Sequence, residues 1–126
     1  MIDPLTFIFF DRVLNVLGLI RDGKKQRTDK IEQALLALYA ALAETRHYVQ
    51  ERKNGASQDT NKEYQIAALW DKASVPLRAI DKKLAERCFL KGSYWREPNA
   101  WDQTKIEQTG IAIDAMFEAT RALLIT

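Results

Sequence analysis

Apolar residues recur at alternating steps of four and three along three separate stretches of this chain. That spacing admits little except packed helices, because residues i, i+4 and i+7 fall on one face at 3.6 residues per turn. The first such series is Ile31, Leu35, Leu38, Leu42, Thr45 and Val49. The second is Ile66, Trp70, Ala73, Leu77, Ile80, Leu84 and Cys88, and the third is Ile106, Gly110, Ile113, Phe117, Thr120 and Leu124. No period-two alternation of useful length competes with them, and there is no internal repeat or low-complexity tract. A chain of 126 residues has room for one domain. Its 47% apolar content is the globular average, so residues 1–126 are read as a single helical domain with its own core.

Punctuation divides the chain into four predicted helices. The first runs over 4–22, with Asp3 as N-cap, Pro4 at the first helical position and Gly23 as stop. The second runs over 29–54, opened by Thr28 or Asp29 with Glu32 three residues on, and closed by Asn54-Gly55. The third is expected over 61–91. Thr60 and Glu63 suggest a capping box at its start, and Lys91-Gly92 a cationic last turn and stop. Pro76 lies inside it, so a kink is expected near Ala73–Val75. The apolar series continues in phase past the proline, which favours a kink over a break. An aromatic connection, Gly92 to Asp102, leads into the fourth helix over 100–125. Short connections favour antiparallel neighbours, so the expected fold is all-α: an up-and-down antiparallel four-helix bundle, its third helix kinked at Pro76. Gly110, on the inward face of the fourth helix, predicts a close approach by a neighbour, with Trp70 the candidate.

Two of these helices are more apolar than one buried face requires. Residues 34–43 read ALLALYAALA. Leu36, Tyr39, Ala40 and Ala43 point away from the series through Leu35, Leu38 and Leu42. Phe7, Ile8, Phe9 and Phe10 likewise cannot share one direction. The surplus suggests a homodimer interface or a groove for a partner helix.

Composition removes several function classes. One cysteine leaves no intramolecular disulfide, which fits a cytoplasmic, reducing setting. One histidine excludes metal sites that need two; Glu44-x-x-His47 has the spacing of a bundle metal motif but faces away from the inward series. No metal and no cofactor are expected. There is no G-x-S-x-G elbow, no glycine-rich phosphate loop, and Cys88 sits among core positions. A net charge of +2 and the absence of a recognisable module make nucleic acid an improbable partner, although Arg21, Lys24, Lys25, Arg27 and Lys30 gather around the first loop. Lys82, Lys83, Arg87 and Lys91 gather again on the third helix and read as a solvated face. Residues 5–20 are short for a span and are interrupted by Asp11, Arg12 and Asn15. Membrane association through them is an alternative that is not favoured.

What remains points to a small non-catalytic protein-interaction or adaptor module, of the inhibitor or immunity-partner kind, that self-associates as a dimer. Its candidate surface is Tyr94, Trp95, Arg96 and Trp101 in the aromatic connection, with Leu36 and Tyr39 on the second helix. Trp, Tyr and Arg are the residues that anchor interfaces, and exposure of the two indoles decides between an anchor and a structural cap. The rival is a polar small-molecule or enzyme site built from Arg78, Asp81 and Arg87 with Glu107 and Asp114 across from them.

Overall fold

The structure, a computed structural model, describes the backbone of residues 4–125 and the side chains of residues 9–125. The expected cap at Asp3 and the side chains of Phe7 and Ile8 lie outside these described residues. Among them the chain is all helical, without strands: α1 (Pro4–Arg21), α2 (Asp29–Lys53), α3 (Thr60–Leu77), α4 (Lys82–Trp95), a 3₁₀ turn (Pro98–Trp101) and α5 (Gln103–Leu124). Five α-helices thus stand where four were expected.

Local chemistry explains the boundaries. Thr28 caps α2, its Oγ1 accepting from the Ile31 N–H at 3.2 Å. Asp59 rather than Thr60 caps α3, accepting from the Lys62 N–H at 3.1 Å. Neither expected capping box closes: Glu32 pairs with Arg27, and Glu63 turns inward. Gly23 follows α1 with φ +75°, a conformation that costs glycine nothing, and Lys24 N–H reaches back to the Leu19 carbonyl at 2.9 Å.

The expected kink at Pro76 is a reversal. Pro76 has no N–H to continue the helical ladder, and bonds of the i to i−3 kind replace it from Arg78 to Ile80. Asp81 then swings into extended backbone at φ −163° and caps a new helix by accepting from the Lys83 N–H. The chain folds back, so α3 and α4 form an antiparallel hairpin with Trp70 beside Trp95. Gly92 does not end a helix, as its sequence context suggested, but lets this hairpin close. A methyl group there would collide with Asp71 Oδ1 and stand 3.1 Å from the Ala67 carbonyl oxygen. The reach of α4 to Trp95 also turns most of the predicted aromatic loop into helix and a 3₁₀ turn.

The helices form a closed ring in which neighbours run α1, α5, α2, α3, α4 and back to α1. Direction alternates along the chain. Because five is odd, α1 and α5 run the same way side by side, which the Arg27 bond to the Leu123 carbonyl at 2.8 Å marks at their common end. Antiparallel α2 and α5 meet through Tyr39 stacked on Phe117 at 5.1 Å and Arg46 paired with Asp114 at 2.9 Å. The close approach at Gly110 is made by Lys53 and Val49, not by Trp70.

The ring takes up part of the apolar surplus: Tyr39, Ala43 and Phe10 are half-buried. Leu35, Leu38 and Leu42 are fully buried, as are Ala34 and Ala41, and on α1 Phe9, Val13, Val16, Leu17 and Ile20 face inward. Each helix touches two neighbours, so a wider apolar arc is covered than a single seam requires. Leu36 and Ala40 remain outside.

Through the core runs a series of aromatic contacts that spans the ring. Phe9 of α1 meets Trp70 of α3 at 5.3 Å, Trp70 meets Trp95 of α4 at 5.0 Å, Trp95 meets Trp101 at 5.6 Å, and Trp101 meets Tyr48 of α2 at 5.0 Å. Such pairs contribute about 0.5–1.5 kcal/mol each beyond their burial. Two of the three interior indoles have defined N–H partners: Trp70 donates to Thr45 Oγ1 at 2.9 Å, and Trp101 donates to the Trp95 carbonyl at 2.9 Å. Thr45 in turn donates to the Ala41 carbonyl at 2.7 Å.

Three outcomes follow from this packing. Gly92→Ala should destabilise the protein by about 1–3 kcal/mol in urea unfolding, the cost of overpacking against backbone. Gly18→Ala, where the nearest foreign atom is Arg21 Nη2 at 3.6 Å, should be neutral or stabilising in the same assay. Thr45→Val keeps the shape but strands a buried indole donor, and should cost about 1–3 kcal/mol.

Candidate functional site

Each side chain expected to take part in function has a definite place. Trp95 and Trp101 are 2% and 1% exposed, so the two indoles are core members and cannot anchor a partner in this fold. Arg96 is exposed at the C-cap of α4 and pairs with Asp71. Tyr94 is half-buried, with Lys91 Nζ 4.4 Å from its ring. Leu36 is exposed on α2, whose ring neighbours are α3 and α5, while Tyr39 is half-buried against Phe117.

The rival polar site does not assemble. Asp81 caps α4 and takes Arg12 of α1 at 2.6 Å. Asp114 is held by Arg46 across the α2–α5 contact, and Glu107 sits exposed one turn from Gln103. Arg78, just before α4, and Arg87, within it, pair with none of these three carboxylates. His47 is exposed and pairs with Glu51 at 2.8 Å, and no group of three or more metal-ligating side chains occurs among the described residues. The Cys88 thiol is fully buried, and burial pushes its pKa far above the ordinary value, the opposite of an activated nucleophile.

One polar cluster has a buried heart of Tyr48, Arg52 and Glu63, with the exposed Gln58 at its edge. Tyr48 donates to Glu63 Oε2 at 2.5 Å, Gln58 donates to Glu63 Oε1 at 3.1 Å, and Arg52 donates to the Trp101 carbonyl at 2.9 Å. Burial raises the pKa of the Tyr48 phenol, and the neighbouring Glu63 adds to the shift while the Asp59 N–H opposes it. With Glu63 only 2% exposed, nothing can reach its carboxylate. The cluster ties the α2–α3 connection to the 3₁₀ turn and closes that end of the ring; it is an internal brace.

The outward face of α4 is different. Phe89 and Leu90 are 56% and 58% exposed, and Val75, on the facing end of α3, is 60% exposed. A cleft opens on each side of Leu90. The first, of about 660 Å³, lies toward α1 and is walled by Phe9, Leu90 and Tyr94. The second, of about 650 Å³, lies toward α3 and includes Ala85, Phe89 and Leu90. Both fall within the size range of ligand and anchor pockets. Arg78, Lys82, Lys83, Arg87 and Lys91 border the two clefts, with Glu86 the only carboxylate among the described lining residues.

Of the cations expected on a solvated face, Lys82 and Lys83 are exposed and Arg87 half-buried, but Lys91 is buried against Tyr94 and Trp95, and the same face exposes Phe89 and Leu90. The signal was present: two large apolar residues follow Cys88 directly and leave the inward series. A helix shows them to water only if no neighbour covers that side, and the α3–α4 reversal decides that.

Comparison with known proteins supplies no relative: no family model matches the chain, and no curated protein or solved structure is significantly similar to it. No helix among the described residues is long and apolar enough to cross a membrane.

The raised thiol pKa sets a sign for alkaline stability. A group whose folded pKa lies above its unfolded value keeps its contribution below the unfolded pKa and loses it as pH rises. Unfolding free energy should therefore fall from about pH 8.5 upward, where unfolded thiols ionise. In Cys88→Ala that fall should begin only near pH 10, where the Tyr48 phenol takes over. Equilibrium urea unfolding across this pH range checks the slope, whatever cavity the substitution leaves.

Proposed function

We propose that this protein is a non-catalytic protein-interaction module, an adaptor or an inhibitor-type partner working in the reducing cytoplasm, and that its docking surface is the outward face of α4. The observation that carries this reading is the exposure of Phe89 and Leu90 between two clefts. Large adjacent apolar side chains left in water on a monomer mark an interaction surface, and here the surrounding charges keep the patch soluble. Among the described residues, the buried Tyr48, Arg52 and Glu63 are engaged in bracing the fold, and the buried Cys88 thiol is held un-ionised by its burial.

This surface replaces the one expected from the aromatic connection, whose indoles support the core. It is preferred to the α1 and α2 faces because Tyr39 is half-buried against Phe117 and, on α1, Phe9, Val13, Val16, Leu17 and Ile20 face inward, while Leu36 and Ala40 on α2 stay exposed without a bordering cleft of the α4 kind. A dimer through α4 remains a second occupant that the experiment below and the next one separate.

Site-specific photocrosslinking tests the reading. With p-benzoylphenylalanine in place of Phe89, irradiation in the native host should give a discrete covalent adduct with a protein. The same group in place of Ile111, 74% exposed on α5, should give none. Equal adducts at both positions, or none at Phe89, would overturn the α4 docking surface.

A further inference from the structure

The charges on the α4 face specify more than an interaction; they specify a partner. Resting on the docking surface proposed above, we infer that α4 receives an acidic amphipathic helix of a protein partner, with apolar side chains seated on both sides of Leu90 and carboxylates over the cations that border the clefts. The geometry supplies both halves of that description. Val75, Phe89 and Leu90 provide exposed apolar contact on adjacent antiparallel helices. On a partner helix the side chains at i+3 and i+4 lie on the same apolar face yet diverge by about 100°, so they can enter clefts on opposite sides of one ridge.

The charge balance is one-sided. Arg78, Lys82 and Lys83 are exposed and Arg87 is half-buried, and none of the four forms an ion pair within the described residues. On α1, Arg12 is already committed to Asp81 at the start of α4. Glu86 is the one carboxylate among the described cleft-lining residues, against the four cations Arg78, Lys82, Lys83 and Arg87; Lys91, buried against Tyr94 and Trp95, is not among those offered to a partner. Since the whole chain carries a net charge of only +2, this concentration is local to α4 and is not a general basicity. A helix bringing carboxylates meets complementary potential here, and a basic one meets repulsion, so charge selects the partner while the apolar ridge holds it.

The ends of the face set its reach. Lys82 and Lys83 occupy the first turn of α4, and Ser93 and Tyr94 lie at the far end of the α1-side cleft. At 1.5 Å per residue that length matches a partner segment of about three turns. Such a segment is marginal alone in water, so the partner folds it on docking or presents it preformed.

Selection from a displayed library tests the partner chemistry directly. The library holds amphipathic helices with Leu and Phe fixed at i, i+3, i+4 and i+7, and each polar position drawn equally from Glu, Gln and Lys. Wild-type protein should enrich Glu at the polar positions. The selected peptides should bind Lys82→Glu/Lys83→Glu about tenfold more weakly, and Phe89→Ser/Leu90→Ser more weakly still, with circular dichroism confirming that both variants fold. Enrichment of Lys or Gln, or equal binding by the charge-reversed variant, overturns an acidic partner. A Phe89 crosslink to a protein under those results leaves the docking surface intact, whereas loss of that crosslink removes the surface itself. Co-sedimentation with phosphatidylglycerol vesicles, weakened by the charge reversal, would assign the face to a lipid surface instead. A dimer in sedimentation velocity that Phe89→Ser/Leu90→Ser dissolves would assign it to a second copy of the chain. Either result overturns the proposal.

Discussion

The fold depends on the placement of one indole. Trp70 is fully buried, touches Phe9 of α1 and Trp95 of α4, and gives its N–H to Thr45 of α2. One side chain on α3 therefore contacts three other helices. A large flat side chain at the centre of a helical ring requires its neighbours at set distances, because an interior packed to crystalline density leaves no slack. Its single polar atom adds direction. The indole N–H is expensive to leave unpaired, so the α2–α3 register that brings Thr45 to it is strongly preferred over registers that do not. Trp101 repeats the device within α4 and the 3₁₀ turn by donating to the Trp95 carbonyl.

The same packing explains why the third predicted helix is two. Carried straight on past Pro76, the segment to Cys88 would project beyond the partners available to it. Turned back at Asp81, it places Ile80, Leu84 and Cys88 in the same core as Trp70 and brings Trp95 to the centre. The local sequence permits the turn, with a proline that weakens the last turn of α3 and an aspartate that starts α4. Gly92 then admits the approach of α3, with Asp71 reaching across to Arg96. The reversal has a consequence for function. It leaves α4 covered on its inner side alone, and puts Phe89, Leu90 and a row of cations on the outside.

Much of the interior was legible residue by residue. All six positions from Ile31 to Val49, and all seven from Ile66 to Cys88, are buried, and so are those from Ile106 to Thr120. Cys88 inward and His47 outward also followed from the helical wheel. The candidate surface was not legible in the same way. Trp95 and Trp101 carry the composition of an interface but serve the core, because composition records what a side chain is able to bury and not against what. Conversely, Phe89 and Leu90 leave the inward series that ends at Cys88, but their spacing does not say whether a neighbouring helix covers them.

By itself, the sequence determined an all-helical chain, the identity of its inward faces and most of its helix ends, since periodicity, caps and positive-φ glycines act within a few residues. It could not distinguish a kink from a reversal at Pro76, because a four-three series stays in phase through either one. Which helices become neighbours, how much of the apolar surplus they cover and which face is left in water depend on contacts between residues far apart in the chain. Those were decided by the tertiary structure, where the closed ring around Trp70 buries one side of every helix and leaves the outer side of α4 unpartnered.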